Sequence, residues 1–249
     1  MSKPVVVLDP GHGGYDPGAV AYGLKEKDLN LKLALKVAER LGEVKVLLTR
    51  ERDIFVSLAD RVALSRRAEP DLFLSLHANA GGGRGFESFI NSSLGALDPA
   101  VNMQKALHGE IMNVLKRWET VDRGMKRAAF YVLRHNPYPA VLIESLFLDN
   151  QREAELWKEP LFVEALADGV ARGVRAALGV EKLENHKQEQ SQDEKPDERG
   201  YPLETRIAPG TTLYTVQVGA FVYVDNARQR LSEAINAGFK DAYISLKQF

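Results

Sequence analysis

Two histidines and two glutamates are the residues of this chain whose surroundings suggest chemistry. His12 lies in VVVLDPGHGG, Glu26 in GLKEKDLNL, His77 in LFLSLHANA and Glu144 in AVLIESLF, four segments that can end or follow buried strands. Two imidazoles and one carboxylate make a three-ligand zinc shell with an open fourth position, and the remaining carboxylate can move protons. This combination of residue types points to metal-dependent hydrolysis.

Each histidine also has an ordinary structural interpretation. The DPGHGG segment around His12 can be a glycine-rich turn with an exposed imidazole; a phosphate-binding loop does not fit, because the Lys-Ser/Thr pair and the GxGxxG spacing are missing. His77 ends an apolar run and can be a buried histidine with a hydrogen-bond partner. The other histidines, His108, His135 and His186, are interpreted as surface or structural residues.

The two glutamates differ in how well a structural role explains them. Glu26 lies just ahead of a predicted amphipathic helix, where the helix dipole favours a carboxylate. Glu144 directly follows AVLI, and an ionised carboxylate is costly to bury there unless it is paired, hydrogen-bonded or bound to a metal. Burial raises the pKa of a carboxyl group, which suits a residue that accepts a proton and returns it. Glu144 is therefore the strongest catalytic candidate.

The elements that position these residues alternate between strand and helix. Strands are predicted over residues 4–9, 44–49, 71–77, 85–90, 129–132 and 140–146, and helices over residues 28–41, 57–68, 100–117, 153–157 and 164–178. This alternation predicts an α/β fold with a mostly parallel or mixed sheet that is flanked by helices on both faces. Functional groups of such sheets lie beyond the carboxyl ends of the strands, where His12, His77 and Glu144 are expected to converge.

Composition limits the class of protein. The 249 residues, 45% of them apolar, suffice for one α/β domain and a small appendage. A formal net charge of -1 gives no electrostatic reason to expect nucleic acid or an anionic membrane as a partner. Cysteine is absent, so histidines and carboxylates must hold any zinc. No signal-peptide pattern and no apolar run long enough to span a bilayer is found.

The last quarter of the chain differs in composition from the rest. Residues 181–210 begin with a charged, glutamine-rich stretch that predicts a flexible linker. Residues 211–249 then show strand, helix and strand patterns, which predict a small C-terminal βαβ unit resembling half of a ferredoxin-like domain. The predicted organisation is a catalytic domain over residues 1–180, a linker over residues 181–210 and a second unit over residues 211–249.

Six segments follow one another in a characteristic order: LDPGHGGYDPGA, GLKEKDLNL, LTRERDIFVSLADR, LFLSLHANA, DRGMKRAAFYVL and PAVLIESLFLDN. Together they resemble the zinc-dependent N-acetylmuramoyl-L-alanine amidases of the amidase-3 type, over residues 5–178. The resemblance implies that His12, Glu26 and His77 bind Zn²⁺ and that Glu144 is the catalytic general acid/base. It also implies that zinc-activated water cleaves the amide bond between the lactyl group of N-acetylmuramic acid and L-alanine of the stem peptide.

One position departs from the pattern of that family. The last motif of the family usually reads Glu-x-Gly-Phe, whereas Ser145 and Leu146 precede Phe147 here. The glutamate itself is kept, so the departure concerns the local shape of the backbone more than the chemistry.

Three further residues lie near the motifs and are predicted to contact substrate: Asn79, Arg123 and Lys126. Ordinary loop and turn chemistry is the alternative explanation for all three. The leading hypothesis is a peptidoglycan amidase that acts at the cell wall, either released by lysis of the mother cell during sporulation or exported with a leader that has been removed. The alternatives are a non-catalytic wall-binding protein on an inactive amidase scaffold and a zinc peptidase that acts on stem peptides.

The C-terminal segment LYTVQVGAFVYVDNARQRLSEAINAGFKDAYI resembles a SPOR repeat. This resemblance implies binding to glycan strands that lack stem peptides, with Tyr214, Gln217 and Phe221 as candidate glycan contacts. Only about half of the expected domain is present, and one βαβ unit is marginally stable alone. Two chains are therefore expected to pair their halves into a dimer, or the unit is expected to dock on the first domain; an ordinary βαβ fragment is the alternative.

Overall fold

The computed structural model of the chain describes residues 3–180, so the predicted linker and the predicted C-terminal unit lie outside the described residues. The strands of the described part are β1 (Val5–Pro10), β2 (Val20–Ala21), β3 (Leu24–Lys25), β4 (Lys45–Leu48), β5 (Leu72–Asn79), β6 (Phe86–Asn91), β7 (Asp122–Ala128) and β8 (Ala140–Phe147). Its α-helices are α1 (Glu26–Glu39), α2 (Leu58–Ala68), α3 (Pro99–Leu115), α4 (Tyr131–Arg134), α5 (Gln151–Lys158) and α6 (Pro160–Leu178).

Six of these strands form one sheet in the order β4-β1-β5-β8-β6-β7, and β2 and β3 form a separate hairpin. The strands β4, β1, β5 and β8 are parallel, whereas β6 is antiparallel to β8 and parallel to β7. The carboxyl ends of β1, β5 and β8 therefore meet the amino ends of β6 and β7 at one edge of the sheet, which we call the site edge. The prediction of an α/β fold with a mixed sheet is confirmed.

Helices cover both faces of the sheet, as predicted. On one face, α1, α3 and α6 bury apolar residues that include Leu33, Leu107 and Val170. On the other face, α2 and α4 bury Val62 and Leu133 in a smaller core. The strands contribute alternate apolar residues to that smaller core: Val7, Phe73, Ala140 and Leu142. No helix within residues 3–180 combines the length and the apolar character that crossing a membrane requires.

The face covered by α2 and α4 becomes polar toward the site edge. Because side chains alternate along a strand, the residues two or four positions beyond the apolar ones lie on this same face. They include Asp9 in β1, His77 in β5 and Glu144 in β8, and Glu87 occupies the matching position in β6. The sheet thus carries an apolar core at one end of this face and a set of ionisable groups at the other.

Two local predictions differ from the structure. A strand predicted over residues 129–132 is wrong, because the chain there leaves β7 and forms the short helix α4. The segment that does pair is DRGMKRA, a polar edge strand whose register with β6 follows from backbone hydrogen bonds and not from an apolar pattern. In addition, α1 begins at Glu26, two residues earlier than predicted, so Glu26 belongs to the first turn of the helix.

Candidate metal and proton-transfer site

The loop after β1 places His12 at the site edge. Gly11 is required by close approach, because a Cβ there would collide with the imidazole ring of His77. His12 itself has a left-handed backbone with φ 59, which is strained for a residue other than glycine. Two buried arginines hold the loop in this shape: Arg61 Nη2 donates to the carbonyl of His12 at 2.8 Å, and Arg50 Nη2 donates to the carbonyl of Gly11 at 2.9 Å.

Glu26 joins the two histidines into one cluster. Its Oε2 lies 3.1 Å from Nε2 of His12, and its Oε1 lies 2.9 Å from Nδ1 of His77. The ring centroids of the two imidazoles are 5.1 Å apart. One ligand atom from each of the three residues lies within 4.8 Å of the others, so the cluster could hold a metal ion.

Further hydrogen bonds orient the three side chains. Asp16 Oδ2 lies 2.9 Å from Nδ1 of His12, which leaves the opposite ring nitrogen for the cluster. The Glu26 carboxylate accepts from the backbone N–H of Ala19 at 2.9 Å and of Ala78 at 3.3 Å, and Nδ2 of Asn30 lies 3.3 Å away. A Cβ on Gly18, whose φ is +65, would collide with the Glu26 carboxylate. The ligand atoms are thus fixed by their surroundings.

The electrostatics of the cluster favour a cation. Burial acts to lower the pKa of His12, but hydrogen bonds and charges from Glu26 and Asp16 outweigh it and raise the pKa to about 9. Burial also acts to lower the pKa of His77, but the bond to Glu26 and the charge of Glu144 outweigh this effect, so the pKa is raised. The pKa of Glu26 is held well below its usual range despite burial, because both histidines bond to it. An ionised carboxylate between two imidazoles attracts either protons or a divalent ion, and these donors suit a metal that prefers nitrogen and oxygen.

Glu144 lies beside this cluster, on the strand next to that of His77. It pairs in register with His77 of β5 on one side and with Glu87 of β6 on the other. Its buried Oε2 has no hydrogen-bond partner among residues 3–180. Burial, helped by the charges of Glu26 and Glu87 and opposed by those of the two histidines, raises the pKa of Glu144 to about 7. A carboxyl group with this pKa can accept and return a proton near neutral pH.

The three predicted substrate contacts converge on Glu87. Asn79 Nδ2 donates to Glu87 Oε1 at 2.6 Å, Arg123 Nε donates to Oε2 at 2.8 Å, and Lys126 Nζ donates to the same oxygen. The structure therefore brings these residues together at the site edge, with their charged groups only partly exposed. Sequence reasoning missed Glu87, although a carboxylate inside the apolar strand FESFI carries the same signal that selected Glu144.

Sequence reasoning also missed the supports of the His12 loop. Arg61 is interpreted from the sequence as a charged residue of the second helix, yet it is 2% exposed and pairs with buried Asp9. No local pattern separates such an inward-facing arginine from a surface one. His108 is structural, as predicted, because its ring nitrogens bond to Ser88 and Asp122. The predicted glycan contacts Tyr214, Gln217 and Phe221 lie outside the described residues.

Comparisons with known proteins identify the family of this chain and agree with its fold. A sequence model of the N-acetylmuramoyl-L-alanine amidase family matches residues 6–176. The chain is 37% identical over 246 residues to the sporulation-specific N-acetylmuramoyl-L-alanine amidase of Bacillus subtilis, covering 97% of this chain and 84% of that relative. It is 45% identical over 186 residues to the endolysin of Bacillus phage SPP1, covering 73% of this chain and 68% of that relative.

Solved structures give the same result. The crystal structure of N-acetylmuramoyl-L-alanine amidase from Clostridium difficile 630 superposes with a TM-score of 0.67 at 32% identity, covering 72% of this chain and 98% of that one. The catalytic domain of CwlV, an N-acetylmuramoyl-L-alanine amidase from Bacillus (Paenibacillus) polymyxa var. colistinus, superposes with a TM-score of 0.66 at 32% identity, covering 72% of this chain and 99% of that one. The chain therefore belongs to the N-acetylmuramoyl-L-alanine amidase family.

Proposed function

We propose that this amidase cleaves the bond between the lactyl group of N-acetylmuramic acid and L-alanine of the stem peptide, with His12, Glu26 and His77 as ligands of Zn²⁺. The observation that carries the proposal is the convergence of these three residues beside Glu144, whose buried Oε2 has no hydrogen-bond partner among residues 3–180. Two imidazoles and a carboxylate are a donor set that suits zinc. When bound, zinc polarises a scissile carbonyl and makes water more acidic.

Glu144 performs the proton transfers in this proposal. With a pKa of about 7, its carboxylate can take a proton from the attacking water and give it to the departing amino group of L-alanine. The lack of a competing partner keeps Oε2 available for both transfers. Glu26 cannot take this role, because its two oxygens are already engaged by His12 and His77.

The remaining parts of the proposal concern substrate and place of action. Asn79, Arg123 and Lys126 contact the substrate at the site edge, and the protein acts on peptidoglycan at the cell wall. One relative is named as sporulation-specific, and its alignment of 246 residues necessarily extends past residue 180. This alignment supports the proposed role in sporulation. Release by lysis of the mother cell is a further part of the proposal.

The unit at residues 211–249 is proposed to bind glycan strands that lack stem peptides, through Tyr214, Gln217 and Phe221, as a dimer. The full chain and its Phe221→Ala variant should differ in how much protein sediments with such glycan. Equal sedimentation of the two proteins contradicts the proposed contact.

The deciding experiment digests purified peptidoglycan fragments with the wild type, with Glu144→Gln and with Glu39→Gln, and identifies the products by mass. Glu39 lies on the exposed side of α1, so its variant is a control for the loss of one carboxylate. The wild type and Glu39→Gln should release stem peptides that begin with L-alanine, and Glu144→Gln should not. Cleavage within the stem peptide would identify a peptidase instead, and binding without any product would identify a non-catalytic wall-binding protein.

Zinc binding is tested separately on the same proteins. Glu144→Gln should retain the metal content of the wild type, whereas His77→Ala should lose most of it, because a three-ligand site does not survive with two. Equal metal content in all variants would contradict the proposed ligand set.

A further inference from the structure

Glu87 is an ionised carboxylate that the proposed chemistry does not use. It is 5% exposed, at the amino end of β6, and it accepts hydrogen bonds from Asn79, Arg123 and Lys126. Burial acts to raise its pKa, but these three donors outweigh the effect and hold the pKa below its ordinary value. A buried carboxylate with two cations is a costly arrangement to maintain, so it calls for a function beyond stability.

The two cations keep hydrogen-bonding capacity that faces away from Glu87. Arg123 donates to Glu87 through Nε, and its two Nη groups have no hydrogen-bond acceptor within residues 3–180. Its guanidinium lies 4.7 Å from the ring centre of Phe147, and Nζ of Lys126 lies 5.9 Å from that of Phe89. These aromatic rings and the shared carboxylate hold both cations in place while about one third of each side chain is exposed.

The charge and the shape of this cluster suit an anion. One carboxylate opposes two cations, so Glu87, Arg123 and Lys126 together carry a net positive charge. The free edge of a guanidinium binds a carboxylate through two parallel hydrogen bonds. A ligand that carries an amide or a hydroxyl group in place of the carboxylate cannot accept both bonds. The cluster of Asn79, Glu87, Arg123 and Lys126 is called the Glu87 cluster below.

The Glu87 cluster lies within reach of a peptide held at the metal site. His77, Glu144 and Glu87 are in register on three neighbouring strands, and Arg123 is on the next strand. At ~4.8 Å per strand, Arg123 is roughly 14 Å from His77 across the sheet. An extended peptide covers about 3.3–3.6 Å per residue, so roughly four residues beyond the scissile bond span that distance, and fewer once the arginine side chain reaches inward.

We propose that the Glu87 cluster is a subsite for a carboxylate of the stem peptide, with Arg123 and Lys126 as the contacts and Glu87 as the positioning residue that aims them. The inference rests on the proposed function, since it assumes a stem peptide with its amino end at the metal site. The glycan then extends toward the opposite side of the site edge, where the His12 loop lies.

The test compares two forms of one substrate. Soluble glycan–peptide fragments of bacterial peptidoglycan are used either with their carboxyl groups free or after chemical conversion of those groups to amides. The wild type should cleave both forms and prefer the free form. In Arg123→Gln, kcat/KM for the free form should fall by about 10- to 100-fold, mostly through KM, while the amidated form changes little. The control is Arg127→Gln, which alters another arginine of β7 that bonds instead to the carbonyl of Leu94.

Glu87→Gln separates positioning from simple charge. Removing a negative charge beside two cations should tighten carboxylate binding and lower KM if only net charge matters. A glutamine leaves one neutral acceptor oxygen for the three donors, so both cations should be less well fixed and KM for the free form should rise, which is the outcome expected here. Lys126→Gln, at a partly exposed position, should give a smaller loss in the same direction.

Two results would overturn the subsite. They are equal cleavage of the free and amidated forms by the wild type, and equal losses on both forms in Arg123→Gln. Failure of the proposed function looks different, because then the wild type releases no stem peptide from either form.

Discussion

Removing the charge of Asp9 tests how much the buried ion pair behind the candidate metal site stabilises the domain. Asp9 is 1% exposed, and its Oδ1 lies 2.6 Å from both Nη1 of Arg61 and Oγ1 of Thr49. Its Oδ2 accepts from Oγ of Ser75 at 2.7 Å. Arg61 in turn donates to the carbonyl of His12 at 2.8 Å. The variant Asp9→Asn keeps the volume of the side chain and leaves Arg61 as an uncompensated buried cation.

The expected loss of stability is large because both partners are buried. Breaking one side of a buried pair lowers the free energy of unfolding by about 3–5 kcal/mol. The matched control is Asp168→Asn, which breaks a helical pair with Arg172 at side-chain exposures of 45% and 52%. An exposed pair at this spacing contributes only about 0.3–0.5 kcal/mol. The two variants remove the same charge, so the difference between them measures burial.

Urea denaturation followed by tryptophan fluorescence provides the measurement. The chain has two tryptophans, Trp118 and Trp157, and both lie in the described domain, so the signal reports on that domain alone. A chelator in every sample removes the contribution of bound metal to stability. A loss below about 1 kcal/mol for Asp9→Asn, or a loss equal to that of the control, would refute the reasoning, because it would show that carbonyl acceptors alone satisfy Arg61.

Three further predictions concern pH, metal and backbone shape. Glu144 must be ionised to accept a proton, and its pKa is about 7, so kcat/KM should fall about tenfold per pH unit on the acid side. The midpoint of this fall should lie at about pH 7 or below, because a bound metal cation lowers the pKa of a nearby carboxyl group. A pH profile without this fall contradicts the assignment of Glu144. Because the pKa of His12 is about 9, metal binding should release protons and strengthen as pH rises, and calorimetry in two buffers of different ionisation enthalpy should detect the release; heats independent of the buffer would contradict it. Leu146 is buried and has a left-handed backbone with φ 65, so Leu146→Gly and Leu146→Ala should both lower the free energy of unfolding in denaturant titrations. The glycine variant should lose about 1–2 kcal/mol less than the alanine variant, because glycine has no strain in this conformation. An alanine variant more stable than the glycine variant would contradict the strain.

Much of the sheet could be predicted from the sequence because its central strands are apolar on both faces. Except for His77 and Glu144 themselves, which are partly exposed, every residue from Leu72 to His77 and from Ala140 to Phe147 is buried, and such apolar runs predict strands in the interior of a sheet. The edge strand β7 could not be predicted, because its residues are mostly polar and exposed on alternate positions. Its pairing partner lies more than thirty residues earlier in the chain, which no local pattern contains.

The site was predictable in its parts but not in its assembly. His12 and Glu144 carry local signals, a glycine-rich loop and a charge in an apolar run, and the family resemblance supplied their roles. The leucine at position 146, where the family usually has glycine, has a structural explanation: the backbone there is left-handed, a shape that glycine favours, and the leucine side chain packs into the core. Long-range contacts such as that between Arg61 and Asp9 required coordinates, because either residue alone is typical of a surface.

Three carboxylates at the site edge, one from α1 and two from the sheet, differ in their surroundings and therefore in their pKa shifts. Glu26 is neutralised by two imidazoles and its pKa is lowered, and Glu87 is neutralised by two cations with the same result. Glu144 on β8 pairs in register with Glu87 on one side and on the other with His77, which bonds to Glu26. Its buried Oε2 has no hydrogen-bond partner among the described residues, and its pKa alone of the three rises to about 7. The charges of Glu26 and Glu87 also raise it, so the proposed metal ligand and the proposed positioning residue both bear on the protonation of Glu144. Replacing Glu87 by glutamine therefore changes the pKa of Glu144 as well as the contacts of Arg123 and Lys126.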